Sequence, residues 1–460
     1  MSIQVSPSLG SDTLLDRDDY LTGLLKLIVE TSHLASPDLI EPETNALLQE
    51  IRQSAALWVR QSTLPTTRDE EWRTTDLSSL RQVQFDHNVE TSHSDLDIAP
   101  LTLPEAVNSR LVFVNGVYAP DLSAVSGLPD GVIVSNLAGL PVEKRLREYL
   151  AQAQGSTEVF TAVNTSGMSD VAVVWVAKNV VVETPIHVLF ISTAETATVS
   201  LPRCLVVAET GSSVTLVEEF LNRLGAASLC EDAQIAKEEV YFTNAVTEIW
   251  IEENAQVSHT RIELDGAEAF HIGKTAVNQA RYSSYTCHAV TLGAKLSRHN
   301  LEVWQAGEQT ETTLNGLTMI GGKQLADTHS AIALNFPHAT SRQLHKCIVG
   351  DRAHSVFNGK IFVPKPAQLT NAEQLNRNLL LSSKARVDTK PQLEITADNV
   401  KCAHGATVSQ LEDDEIFYLQ SRGIDDNAAR HLLINAFAVE IINQIPISSL
   451  REKLTQFVSR

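Results

Sequence analysis

Ser258-His259-Thr260-Arg261-Ile262-Glu263-Leu264 is the stretch that sets the fold class. Ser258, Thr260, Ile262 and Leu264 fall on one side, and His259, Arg261 and Glu263 on the other, a period of two that belongs to a β-strand. The same period runs through Tyr282, Ser284, Thr286, His288, Val290 and Leu292, set against Ser283, Tyr285, Cys287, Ala289 and Thr291. Short Val-, Thr- and Ile-rich alternations of this kind fill the chain from about Arg110 to Asp398. One helical interruption is expected over Val142 to Gln152, where Leu146, Tyr149 and Leu150 share a face. A loose motif recurs between strands: a turn residue, a small residue, then an inward apolar one. It reads Gly211-Ser212-Ser213-Val214, Asn254-Ala255-Gln256-Val257 and Gly293-Ala294-Lys295-Leu296, with an echo at Lys384-Ala385-Arg386-Val387. Uneven steps exclude a strict short-period array but fit stacked coils of a strand–turn solenoid. The scarcity of helices between strands disfavours a doubly wound sheet. Period alone leaves a β-sandwich open.

The flanks read differently. Leu21, Leu24, Leu25 and Ile28 stand at i, i+3, i+4 and i+7, one helix face, and Leu47, Leu48, Ile51, Ala55, Trp58 and Val59 repeat that spacing. Ser36-Pro37 and Glu41-Pro42 punctuate the two runs. Asp86 to Asp97, a polar stretch with His87 and His93, reads as an exposed connection. Beyond Leu411 the chain turns helical again. Acids Glu412 to Glu415 load a first turn, Gly423 is placed for a left-handed cap, and Asp425 for an N-cap. Leu433, Ala436, Phe437 and Ile441 share the next helix face. Pro446 stops that helix, and Leu450, Leu454 and Phe457 mark a last one. The expected division is a helical region and connector over 1–100, a β core over 101–408 and a helical region over 409–460.

Composition narrows the function. The 460 residues carry 36 Lys plus Arg against 56 Asp plus Glu, a net charge of −20, which argues against a general phosphate-backbone binder. With 43% apolar and 20% charged residues the chain can bury a large core. No apolar run approaches the roughly 18 residues of a membrane helix. Asp12, Asp16, Asp18 and Asp19 argue against a basic signal peptide. The five cysteines, Cys204, Cys230, Cys287, Cys347 and Cys402, are odd in number and far apart, so a reducing interior is expected rather than a disulfide framework. There is no Cys-x-x-Cys pair.

Several chemical motifs dissolve on inspection. Gly273-Lys274-Thr275 resembles the end of a phosphate loop, but the required upstream glycine position holds Glu268, so a plain strand is expected. Asn164-Thr165-Ser166 matches a glycosylation acceptor by coincidence. His329, His338, His345, Cys347 and His354 are dense enough to suggest a metal site, yet polar residues alternating outward on strands produce the same density. Asp351, Asp388 and Asp398 suggest the acids of a solenoid carbohydrate-active enzyme, but the sequence places no pair. No Gly-x-Ser-x-Gly elbow occurs. Cys402-Ala403-His404-Gly405 puts a thiol and an imidazole on one side of an extended segment. Both are good iron or zinc ligands, but two cannot complete a shell, and composition alone favours a buried Cys and a surface His.

The stretch from Val356 to Ile442 resembles a known family. It is carried by Val356-Phe357-Asn358-Gly359-Lys360-Ile361, Ala367-Gln368-Leu369-Thr370-Asn371-Ala372, Asn378-Leu379-Leu380-Leu381-Ser382 and Lys390-Pro391-Gln392-Leu393-Glu394-Ile395. Lys401-Cys402-Ala403-His404-Gly405-Ala406-Thr407, Phe417-Tyr418-Leu419 and Ser421-Arg422-Gly423-Ile424 complete the series. Together these look like the SufB/SufD family, scaffold subunits of the SUF iron–sulfur cluster assembly machine. Glu71-Trp72-Arg73-Thr74-Thr75-Asp76-Leu77 and Leu111-Val112-Phe113-Val114-Asn115-Gly116-Val117 resemble the SufD branch. A SufB-type primary scaffold and a solenoid carbohydrate-active enzyme are the alternatives.

The resemblance implies a mainly β protein, with a right-handed parallel β-helix core between N-terminal and C-terminal helical regions. It implies a non-enzymatic assembly subunit in the cytoplasm, paired with a SufB-like subunit through the β-helix, with a self-paired dimer when alone. A SufC-like ATPase would bind the C-terminal helices through the region of Phe417, Tyr418, Arg422 and Gly423, although Phe417 and Tyr418 also suit plain packing of the helix onto the solenoid end. No nucleotide, nucleic acid or membrane is expected on this chain. His404 matches the family's interface histidine, a ligand to a nascent iron–sulfur cluster shared with SufB, and Cys402 lies beside it.

Overall fold

The computed structural model describes residues 17–31, 40–86, 96–140, 146–153, 158–193, 196–222 and 240–459. Cys230, His87, His93, the Ser36-Pro37 break and the first half of the Val142–Gln152 helix lie outside the described residues. What is described of that helix is Leu146–Tyr149, with Leu146, Tyr149 and Leu150 all buried.

The core is a parallel β-solenoid of about seven turns, and the chain is mainly β. Strands alternate between two sheets, one of eleven and one of ten strands, so each turn of chain adds one strand to each. Pairing is parallel and in register along the stack. Gln256 aligns with Ser284, Ser284 with Glu311, Glu311 with Thr340, Thr340 with Asn371, and Asn371 with Lys401, so a coil takes 27 to 31 residues. The varying corner lengths explain why the sequence shows no fixed repeat.

The recurring turn motif is the corner itself. Gly211, Asn254, Tyr282, Ala294, Gln309, His338 and Leu369 have positive φ, and each stands two residues before a strand. Only the first is a glycine, so six corners hold L residues in a conformation that costs each of them about 1–2 kcal/mol. In the third copy the left-handed residue is Ala294 rather than Gly293, whose Cβ position would lie 2.2 Å from Asp265 O. The echo at Lys384 has no left-handed residue among the described corners.

Both faces of the central strands are buried, for different reasons. The strand Gln256–Leu264 turns Val257, His259, Arg261 and Glu263 into the lumen, and its apolar Ile262 and Leu264 outward beneath the C-terminal helices. Those helices, Asp413–Gln420, Asp426–Ile442 and Ser448–Val458, bring Ala438, Ile441, Leu450 and Leu454 onto Ile262, Val290, Leu317 and Ile348. Each such side chain removed from water contributes about 1.5–3 kcal/mol. Asp425 accepts a hydrogen bond from the Ala428 amide (3.0 Å) as N-cap, and Gly423 has φ +85°. Lys453 reaches the fully buried Glu219 at 3.1 Å.

The other sheet is covered by the N-terminal region. The helices Asp19–Thr31 and Val159–Gly167 set Leu21, Leu24, Leu25, Phe160 and Val163 on Phe242, Phe270, Ile272 and Leu296. The segment around Trp72 clasps the same sheet. Arg298 stacks 3.9 Å over the Trp72 ring and donates to Glu71 O (2.8 Å), while Thr75 hydroxyl bonds Asp327. The first end of the solenoid is closed by antiparallel strands: Val117–Tyr118 and Ala124–Val125 on Ser109–Val114, and Val132–Ser135 on Ala172–Val176. Among the described residues no strand closes the last end. No described helix is long and apolar enough to cross a membrane.

Candidate functional site

The open end is built from two ten-residue strands. Arg386–Ile395 pairs only with His354–Val363, and Lys401–Gln410 only with Asn371–Leu380, so each leaves one backbone edge unpaired among the described residues. Burial fades in this last coil. Asn371–Leu380 still hides alternate residues, but Lys401–Gln410 is mostly exposed because no described strand stacks beyond it. Val408 is 51% exposed. An uncovered edge of this length is a template for another chain.

The cysteine and histidine singled out in the sequence sit here. Cys402 lies beside Ala372 and His404 beside Gln374, both on the side that faces the lumen in earlier coils. Cys402 is half-buried against the lumen cluster, and burial pushes its thiol up, against a hydrogen bond with the Ala372 backbone. His404 is exposed, because its coil is the last. One thiol and one imidazole thus stand at the rim of an unfinished lumen, accessible to groups from another molecule.

Two residues beyond the strand's end, through Leu411 and Glu412, the helix Asp413–Gln420 begins. Ile416 anchors it, at 4% exposure. Phe417 (71% exposed) and Tyr418 (57%) point away, so they do not pack the helix onto the solenoid. Arg422 lies 5.3 Å from the Tyr418 ring centroid, and Gly423 ends the turn. The result is an exposed aromatic–arginine patch on a helix tied directly to the strand of His404.

The dense histidine stretch does not form one site. His345 is in the lumen, stacked on Phe357 at 5.0 Å with Nε2 3.1 Å from the Thr318 hydroxyl, and burial lowers it to about 4. Cys347 is also sealed in the lumen, its thiol pushed up to about 11 by burial. His329 pairs with Asp327 (2.9 Å) and Glu71 (3.3 Å), His354 with Asp388 (2.7 Å), and His338 makes a corner. Asp388 also binds Arg386 and Asp351 accepts from the Gly322 amide, so these acids are structural. Gly273-Lys274-Thr275 lies inside the strand Phe270–Gln279, and Asn164-Thr165-Ser166 inside a buried helix.

Sequence reasoning missed the charged lumen. His259 Nε2 lies 2.7 Å from Glu218, and its Nδ1 is 3.0 Å from the Tyr285 hydroxyl. Burial alone would lower its pKa, but the Cys287 thiol and the Glu218 carboxylate outweigh it and raise it to about 9. Glu263, Asp265 and His271 offer ligand atoms within 4.8 Å of one another. The Arg261 guanidinium occupies the place of a cation there, bonded to His271 Nε2 at 2.5 Å and to Glu263 at 3.4 Å. Alternation alone could not say that the charged side faces inward, since both sides are buried.

Known proteins share this sequence over most of its length. Residues 190–437 match the family model for the SUF system FeS cluster assembly SufBD core domain, and residues 32–188 match the SufBD protein N-terminal region. The chain belongs to the SufBD family. It is 48% identical over 437 residues to an iron–sulfur cluster assembly SufBD family protein of Synechocystis sp., covering 94% of each chain. It is 36% identical to the chloroplastic protein ABCI7 of Arabidopsis thaliana (91% of this chain, 86% of that one). It is 33% identical to the iron–sulfur cluster assembly protein SufD of Escherichia coli (85% and 88%). The family assigns the chain to iron–sulfur cluster assembly in the SUF system, as a SufD-like member.

Proposed function

We propose that the chain is a scaffold subunit without catalytic chemistry of its own, docking by its open last coil against a SufB-like solenoid. The observation that carries this is the pair of uncapped ten-residue strands with His404 exposed at their rim. Strand addition by a second solenoid satisfies both edges and covers Val408. A second copy of this chain can do the same when the partner is absent. His404 then lends an imidazole nitrogen to a nascent iron–sulfur cluster whose remaining ligands come from the partner, with Cys402 as the neighbouring thiol. One nitrogen among thiolates holds the cluster loosely enough to be handed on. Primary sulfur acceptance suits the partner better, because Cys204, Cys287 and Cys347 are buried and Cys402 stands beside the proposed cluster ligand.

The ATPase of the system, SufC-like, docks on Phe417, Tyr418 and Arg422, with Gly423 setting the turn between the two helices. Nucleotide chemistry then belongs to that subunit. Because the docking helix follows the His404 strand after two residues, ATP-driven approach of two ATPase subunits pulls on the interface and opens it. Free thiols suit a reducing interior such as the cytoplasm, or a plastid in the case of the Arabidopsis relative. The test is anaerobic cluster reconstitution on the co-purified three-subunit complex, followed by absorbance. His404→Ala is expected to lower the yield. Equal yields remove the ligand assignment, and failure of the partners to co-purify removes the scaffold reading. A crosslink across the solenoid interface that leaves assembly undiminished counts against the pulling step.

A further inference from the structure

The helices Asp19–Thr31 and Pro42–Gln61 pack on each other and on the buried helix Val159–Gly167. All three line a cavity of about 730 Å³, a size that suits a small molecule. Lys26 and Glu30 stand one turn apart on the first helix, and Arg52 and Arg60 two turns apart on the second. Leu25 and Val29 add apolar wall. On a chain of net charge −20 this lining is locally basic, three cations against the single acid Glu30. Arg52 decides the chemistry. It is 8% exposed, and an arginine so buried is almost always paired. Its one hydrogen bond among the described residues runs from Nη2 to the Met168 carbonyl. Its Nε is buried with no acceptor. Nη1 is neither bonded nor buried, so it is the guanidinium edge that meets the cavity. Burial pulls the Arg52 pKa below its ordinary value, and no carboxylate opposes that pull. A guanidinium taken out of water without a counter-charge is strongly unfavourable, and an anion in the cavity relieves it.

We propose that this cavity binds a small organic oxyanion of charge −2, a phosphate monoester or a dicarboxylate. One anionic oxygen accepts a hydrogen bond from Arg52 Nη1. Lys26 and Arg60, both exposed, supply charge at the mouth, and Leu25 and Val29 meet the carbon skeleton. The Lys26–Glu30 contact, 3.9 Å between largely exposed side chains, is weak enough to give way to the ligand. The excess of two positive charges sets the charge of the ligand. This site lies in the N-terminal region and does not depend on the scaffold role proposed above.

The experiment is titration calorimetry of the full chain with inorganic phosphate and with succinate, at mildly alkaline pH, with sodium chloride of equal ionic strength as the blank. Saturable one-to-one binding of at least one of the two is expected. Phosphate alone assigns a phosphate ester and succinate alone a carboxylate, and either upholds the site. Arg52→Met, which keeps the length and loses the charge, should weaken binding at least about tenfold. Arg60→Gln, at an exposed position that the fold does not need, should weaken it about 2–5-fold. Arg147→Gln, which removes an exposed partner of Glu50 outside the cavity, should leave it unchanged. Urea unfolding separates a binding role from a structural one. Without added anion, Arg52→Met should unfold at an unchanged or higher midpoint, because a buried unpaired charge has gone. The anion that binds should raise the wild-type midpoint and leave that of Arg52→Met where it is. A lower midpoint in Arg52→Met, with no anion effect on the wild type, marks Arg52 as a plain tie to Met168 and overturns the proposal. Binding undiminished in both Arg52→Met and Arg60→Gln, or heats matched by sodium chloride, overturns it too.

Discussion

Ile416 and Phe417 are adjacent on one short helix, one buried and the other exposed, which separates stability from docking in a pair of single substitutions. Ile416 is 4% exposed and holds the helix Asp413–Gln420 in place. Its truncation to Ala removes buried carbons and leaves a gap, about 2–5 kcal/mol. At the lower end, about 2 kcal/mol, local opening rises roughly 30-fold. Amide exchange across residues 413–420 should quicken by that factor, because short peripheral elements open locally rather than with the whole molecule. Phe417 is 71% exposed, so Phe417→Ala should change exchange of the free chain by less than the effect of about 0.5 kcal/mol. Against the ATPase subunit the order reverses. A central aromatic anchor carries about 2 kcal/mol or more, so Phe417→Ala should raise Kd roughly 30-fold by calorimetry. If Phe417→Ala speeds exchange as much as Ile416→Ala, or binds the ATPase with unchanged affinity, the reading of that helix as an outward docking element is wrong.

Trp72→Ala should cost about 3–5 kcal/mol in urea unfolding, since the ring is buried between Arg298 and Phe160, and amide exchange of residues 63–85 should rise with it. Gly316→Ala places a methyl 1.9 Å from His345 Nδ1 and should cost about 1–3 kcal/mol, with the thermal midpoint as readout. His345 is held down to about 4 by burial against an ordinary 6.5. Its stabilising contribution is complete above pH 6.5 and is lost as pH falls through about 4. The urea midpoint should therefore decline across that window, and less so in His345→Gln.

The sequence made the strand period, the two helical flanks, the Asp425 cap and the Gly423 turn legible, because each is a local signal tied to backbone geometry. The coil length was hidden by corners of different size, set by left-handed residues such as Tyr282 and Leu369 that carry no compositional mark. The direction of each strand face was hidden too. His259, Arg261 and Glu263 form the polar side of the strand, yet they line the lumen, where His259 pairs with Glu218 and Arg261 with Glu263. At the rim, Cys402 and His404 were found as a pair by alternation, whereas their place on the last, uncovered coil becomes visible only when the coils are stacked. Phe417 and Tyr418 suited either packing or docking, and their exposure beside the buried Ile416 removes the packing reading.

Among the described residues one end of the solenoid is capped by antiparallel strands and the other is not, and this asymmetry bears on how many copies can join. A rod with two live ends would polymerise into a filament by head-to-tail stacking. With a single live end among the described residues, the joining proposed above would consume the uncapped edges of each molecule, so assembly would terminate at two with the junction midway along a finite rod.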